Sequence, residues 1–253
     1  MSENTILNIK DLSVIYKTDL ETVEAVNGIN IAIKRKSTFG LVGETGAGKT
    51  TTARSIIRLL PAVGHVTGGS IEFEGKNLRE LSEEEMRQYR GEKIAMVFQD
   101  PMTGTAANMQ IEENLALAAR RGSFRFLKAG ITQKEREMYR EKLKVLDLGL
   151  EERMTSKVGL LSGGQRQALT LLMATLKKPK LLLLDEHTAA LDPKTASKVL
   201  DATERIVGRD HLTTLMITHN MKDAIVHGNR LVMMHEGHII YDVSGEEKKK
   251  LTV

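Results

Sequence analysis

The stretch Thr38-Phe39-Gly40-Leu41-Val42-Gly43-Glu44-Thr45-Gly46-Ala47-Gly48-Lys49-Thr50-Thr51 decides the fold. Its first part, Thr38 to Gly43, is a short apolar run of the kind that forms a strand buried on both faces. Glycines then interrupt it, and a helical pattern takes over from Thr50 to Leu60. Gly43-Glu44-Thr45-Gly46-Ala47-Gly48-Lys49-Thr50 fits the phosphate-loop pattern G-x-x-x-x-G-K-[ST]. Average residue usage would produce that match by chance in about one chain in a hundred of this length. Glycines let backbone N–H groups converge on phosphate oxygens, and the helix that follows presents its positive end. Lys49 would neutralise the outer phosphates of a nucleotide, Thr50 would ligate Mg²⁺, and Thr51 completes the expected nucleotide-binding set. A plain glycine-rich turn would leave the strand before it and the helix after it unaccounted for.

Acids stand at the tip of a second apolar run. Leu181-Leu182-Leu183-Leu184 ends in Asp185-Glu186. A carboxylate at a buried strand tip can hold Mg²⁺ through its water shell, which assigns Asp185 to the metal. Glu186, next along the backbone, is placed to polarise or deprotonate a water attacking the γ-phosphate. Alone, the pair would read as a solvated strand end; beside a phosphate loop it reads as catalytic.

Further runs, Ile94 to Gln99 and Thr213 to His219, alternate with helical patterns over Gln165–Leu176 and Lys194–Val207. The alternation predicts an α/β fold with function at the carboxyl ends of parallel strands. Ile6–Ile9, Ala25–Ile33 and Gly68–Gly75 alternate instead like antiparallel strands with one wet face. Asn108 to Lys157 is charged and helical, with Ile111–Leu115 and Gln133–Leu146 as its cores, and reads as an insertion. Lys248-Lys249-Lys250 reads as solvated charge.

Composition narrows the class. The chain has 253 residues, 41% hydrophobic and 28% charged, enough for one elaborated domain. Its 37 cations against 33 anions make no nucleic-acid footprint, and with no tryptophan and 4% aromatics it lacks a base-stacking platform. The absence of cysteine removes disulfides and thiolate metal sites and fits a cytoplasmic protein. No apolar run reaches the roughly 20 residues of a membrane-spanning helix, and Met1-Ser2-Glu3-Asn4 does not begin a secretory signal.

Leu161-Ser162-Gly163-Gly164-Gln165 adds a second anion site. Ser162 and Gln165 form a capping box, Gly163 and Gly164 leave bare N–H groups at a helix start, and Lys177-Lys178-Pro179 ends that helix. A chain that already owns a phosphate loop gains from such a helix tip if the tip completes the site of another copy.

These residues, in this order, resemble the ATP-binding cassette (ABC) family, with the serine-led stretch similar to its signature motif. The likeness covers nearly the whole chain. It implies a RecA-like P-loop ATPase core with an N-terminal antiparallel β subdomain and an inserted helical subdomain. The core would take 1–100 and 158–253, and the helical part 101–157. It implies that two cassettes, identical or different, meet head to tail, each ATP lying between one phosphate loop and the partner's Ser162, Gly163, Gly164 and Gln165. By the same resemblance Tyr16 stacks on adenine, Gln99 senses Mg²⁺ and the nucleophilic water, His219 contacts the γ-phosphate, and Asp192 belongs to the loop bridging the cassettes. It further implies membrane permease partners and a location peripheral to the inner face of the cell membrane. His187 stands where the family usually carries proline, and Ala189 where it carries serine; the phosphate chemistry is left complete.

Gly64–Ser70 and Val97–Thr103 resemble ATPases of the oligopeptide/dipeptide importer class. After Met102 the sequence Gly104-Thr105-Ala106-Ala107-Asn108-Met109 departs from that class and resembles other importer ATPases, with amino acids as candidate cargo. The change of likeness raises the expectation of a chimera, natural or engineered, joined near Asp100–Gly104, with or without a native transport partner. A non-transport ABC ATPase would usually show a long coiled-coil insertion or two cassettes in one chain. A signalling GTPase would need Asn-Lys-x-Asp, and Asn220-Met221-Lys222-Asp223 has the wrong order.

Overall fold

The computed structural model describes residues 4–122 and 130–251. Met1–Glu3 of the expected start and residues 123–129 of the expected helical insertion lie outside the described residues. In chain order the strands are β1 (Thr5–Lys17), β2 (Thr22–Lys34), β3 (Thr38–Gly43), β4 (Gly64–Phe73), β5 (Lys76–Asn77), β6 (Ile94–Val97), β7 (Leu181–Asp185), β8 (Thr213–Ile217), β9 (Arg230–His235) and β10 (His238–Ser244). The α-helices are α1 (Lys49–Ile56), α2 (Glu83–Tyr89), α3 (Ile111–Ala119), α4 (Gln133–Lys144), α5 (Gly163–Thr175), α6 (Pro193–Asp210), α7 (Met221–Val226) and α8 (Gly245–Lys249). Among the described residues no helix is long and apolar enough to cross a membrane.

The chain forms two units. One comprises the chain to Arg90, Leu183–Asp185 and everything from Thr213 on; the other comprises Gly91–Leu182 and Glu186–Leu212.

The first unit carries the antiparallel sheet expected at the N-terminus, in the order β2-β1-β4-β5. Strand β1 runs well past Ile9, where the sequence alternation ends, because a bulge interrupts it. Asp11 takes φ +48, and the pairing with β2 shifts register between Ile9 and Leu12. Beyond the bulge Leu12 and Val14 are again buried, so the apolar face is recovered after one residue slips. Strand β3 pairs in parallel with β8 and with β9, and β10 closes that edge antiparallel to β9. Phe39, Leu41 and Val42 are fully enclosed, as the unbroken apolar run requires.

Helix α1 stops at Ile56, short of the expected Leu60. Arg58 turns left-handed at φ +54, and its guanidinium donates to the carbonyls of Leu78 and Leu81. The C-terminal lysines also differ from expectation. Lys248 is 4% exposed, and its Nζ donates to the carbonyls of Ile225, His227 and Gly228 at 2.6, 3.2 and 3.0 Å. It caps the end of α7, as a cation near a helix's negative pole does, while burial pushes its pKa down.

In the second unit, Lys93 at the entrance to β6 accepts from the N–H groups of Lys180 and Leu181, so β6 lies beside the start of β7. Helix α5 is the hub: Ala168, Leu169, Leu171 and Leu172 are all buried. Helices α3 and α4 are tied by Arg136, which grips the buried carboxylate of Glu112 with three hydrogen bonds of 2.9–3.2 Å.

Candidate nucleotide site

The loop between β3 and α1 exists in this shape because of its glycines. Gly43 has φ +144, and a Cβ there would lie 2.1 Å from the Met234 carbonyl oxygen. Gly48 has φ +95, and a Cβ there would lie 2.3 Å from the Ala25 carbonyl oxygen. Both obstacles are backbone and cannot rotate away. Between them the N–H of Ala47 donates to the Glu44 carbonyl at 3.2 Å, closing a tight turn through Thr45 and Gly46.

Lys49 is 4% exposed, and its Nζ donates to the carbonyls of Gly43 and Glu44, both at 2.8 Å. The ammonium is therefore stretched across its own loop, a buried charge held by backbone dipoles. The first intrahelical bond of α1 comes from the N–H of Thr52 to the Gly48 carbonyl at 2.9 Å, so the head of the helix points its first N–H groups out of the loop's end. That is the arrangement that binds oxyanions.

Thr50 donates its hydroxyl to Asp185 Oδ1 at 2.7 Å, and Asp185 is 3% exposed. The two residues expected to share a metal thus meet across 135 positions of chain. Mg²⁺ keeps several waters and takes one or two protein oxygens beside phosphate, so a threonine hydroxyl with one carboxylate fits it. Tyr16, on β1, brings its hydroxyl to within 3.0 Å of Thr51 Oγ1, at the head of α1. His219 follows β8 and lines a cavity of about 410 Å³ with Gly43, Glu44, Met221, Met234 and His235.

The remaining expected residues belong to the second unit. Gln99 is exposed two positions beyond the end of β6. Ser162 caps α5 reciprocally, its N–H donating to Gln165 Oε1 at 3.2 Å and its Oγ accepting from the Gln165 N–H at 3.3 Å. Ser162 and Gly163 are exposed; Gly164 is buried, and a Cβ there would lie 1.8 Å from Thr195 Cγ2. The start of α5 therefore lies flush against the start of α6. Asp192 caps α6 by accepting from the Thr195 N–H at 3.1 Å, and those bonds hold its carboxyl below the usual range. Glu186 sits with φ +47, a left-handed backbone that costs a non-glycine residue about 1–2 kcal/mol.

Two residues directly after the signature stretch matter in ways the sequence did not reveal. Gln167, fully buried, donates from Nε2 to the Phe98 carbonyl at 2.9 Å, fixing the residue before Gln99. Arg166, 4% exposed, donates to Thr105 Oγ1 at 2.6 Å and reaches the Met102 carbonyl at 3.4 Å. Their signal was two long polar side chains on the buried side of a helix, which must find partners there. His187 is likewise buried, with Nε2 at 3.1 Å from Thr203 Oγ1.

The ABC transporter family model matches residues 26–189, which span the phosphate loop, Gln99, the signature and both acids. The chain belongs to the ABC transporter family. It is an ATP-hydrolysing cassette, as its motifs imply. It is 37% identical over 248 residues to the tyrosine transport ATP-binding protein of Clostridioides difficile strain R20291, covering 98% of this chain and 95% of that one. It is 33% identical over 240 residues to the oligopeptide transport ATP-binding protein OppD of Escherichia coli K12, covering 92% of this chain and 68% of that one. The dimeric ATP-binding cassette MJ0796 bound to ADP and Pi is 26% identical and superposes with a TM-score of 0.80, covering 94% of this ABC cassette and 98% of the other. The expected join near Asp100–Gly104 is not supported by these relatives, which cover 98% and 92% of the chain. Arg166 ties Met102 and Thr105 into the same unit as α5.

Proposed function

We propose that this cassette is the motor subunit of an importer of peptides or amino acids, working as a head-to-tail pair on membrane permeases at the inner face of the cell membrane. The observation that carries the nucleotide chemistry is the 2.7 Å contact between Thr50 and Asp185 beside the buried Lys49. Transport of peptides or tyrosine is what the names of the relatives say of those proteins, and their reach across nearly the whole chain supports the same class of cargo here.

The N–H groups at the head of α1 and the Lys49 ammonium grip the β- and γ-phosphates. Thr50 and Asp185 would hold Mg²⁺, which would supply neutralisation of the negative charge of the phosphates. Tyr16 presents its ring to adenine, and His219 contacts the γ-phosphate. Glu186 accepts the proton of the attacking water, and Gln99 orients that water and passes its state toward the permease. Ser162 and the N–H groups of Gly163 and Gly164 face the γ-phosphate held by the partner cassette, and Asp192 lies in the loop bridging the pair. ATP closes the pair and hydrolysis releases it, which turns binding free energy into movement.

The test is ATP turnover by the purified chain beside Glu186→Gln. Loss of turnover with retained ATP binding, together with an ATP-dependent dimer of the variant, supports the assignment. Equal turnover in both proteins refutes Glu186 as the base.

A further inference from the structure

We propose that His187 is a positioning residue for Glu186, its imidazole tying the turn that carries the carboxylate to the middle of α6. The proposal rests on reading Glu186 as the base. Glu186 is held at φ +47 without the freedom of a glycine, and its carbonyl accepts from the Ala189 N–H at 3.0 Å to close a turn over His187 and Thr188. A left-handed residue persists where its surroundings over-determine it. The surroundings here include a directed polar contact. The His187 ring is 3% exposed with Nε2 at 3.1 Å from Thr203 Oγ1, and Thr203 is itself 5% exposed.

The direction of that bond follows from the next one. Thr203 gives its hydroxyl proton to the Val199 carbonyl at 2.8 Å, one helical turn back, so its oxygen is left to accept. His187 must therefore carry a proton on Nε2, which both the neutral and the charged ring can do. The anchor sits well inside an 18-residue helix, where the backbone has little play. Only one peptide bond separates the anchored residue from Glu186. A side chain placed there for packing alone would be apolar; a buried imidazole directed at Thr203 sets an orientation. With alanine at 187 the turn keeps its Ala189 bond and loses its Thr203 bond to α6. Glu186 can then relax toward an ordinary backbone and swing its carboxylate. A shift of about 1 Å in a reacting group lowers rate on the order of a hundredfold.

The experiment compares the parent chain with Glu186→Gln, His187→Ala, His187→Gln, Thr203→Val and the His187→Ala/Thr203→Val pair. For each, kcat is normalised to the stoichiometry of a fluorescent ATP analogue, and the Kd of that analogue is measured. The expected result is a loss of about ten- to hundredfold in normalised kcat for His187→Ala and for Thr203→Val, with Kd within about twofold. The pair should be no worse than either single variant, and His187→Gln, which offers an amide N–H at similar reach, should recover most of the rate. A His187→Ala protein that turns over like the parent while Glu186→Gln is dead overturns the positioning role and leaves the base intact. A loss of rate that merely follows loss of binding stoichiometry also overturns it. If Glu186→Gln itself turns over like the parent, the base reading fails separately and the proposal falls with it.

Discussion

Gln167→Leu separates stability from function at one buried side chain. Gln167 is fully enclosed; its Nε2 serves the Phe98 carbonyl, and its Oε1 is buried with no hydrogen-bond partner among the described residues. Leucine is close in volume and removes both ends of the amide. The lost hydrogen bond is worth about 1 kcal/mol net, while removing an orphaned buried acceptor returns about 1–3 kcal/mol. These terms offset, and the change in unfolding free energy should stay within about 1 kcal/mol. The rate should behave differently, because the segment holding Gln99 loses its tie to α5. A fall of kcat on the order of tenfold or more is expected with nucleotide affinity unchanged. Urea melts, ATP turnover and nucleotide titration on one preparation suffice. A destabilisation of 3 kcal/mol or more would refute the offset, and an unchanged kcat would refute the positioning of Gln99.

Three further outcomes follow from contacts already described. Gly48→Ala must carry a side chain at φ +95 against the Ala25 carbonyl, so nucleotide affinity should fall at least tenfold in a titration, with about 1–2 kcal/mol of backbone strain added. Lys248→Met leaves three carbonyls at the end of α7 without their cation and should lower stability by about 1–3 kcal/mol, read as a lower urea midpoint. The Thr132 N–H first, and then Arg120, hold Glu135 down to about 2. A carboxyl lowered in the folded state stabilises above its unfolded pKa and loses that contribution as pH falls through the folded value. The stability gap between the parent and Glu135→Gln should therefore be full at neutral pH and close between the usual carboxylate range and about pH 2, as followed by urea melts.

Much of this was legible in the residues because local chemistry and packing agree. Thr38–Gly43 is apolar since β3 is buried on both faces, and Gly43 and Gly48 stand where backbone leaves no room for Cβ. The capping box of Ser162 and Gln165 is a four-residue pattern set by the local chain. What escaped depends on partners far along the chain. The alternation of β1 broke at Asp11 because a bulge is set by the paired strands, not by the strand's own pattern. Lys248 reads as solvated charge until α7 supplies carbonyls 20–23 positions away. Gln167, Arg166 and His187 find their partners 69, 61 and 16 positions off, so the sequence hints that Gln167 and Arg166 need partners without saying which. The change of likeness after Met102 does not mark a join that the relatives support, since the tyrosine transport relative matches 98% of the chain.

The central claim is that one ATP is held by two chains, the Lys49 loop of one and the Ser162 helix tip of the other. Mixing Lys49→Ala with Ser162→Arg tests it directly, since only a mixed pair can rebuild a site from the intact halves. Two inactive proteins that recover ATP turnover on mixing are the result expected. Full turnover by Ser162→Arg alone, or a mixture as silent as its parts while the parent is active, would contradict the account.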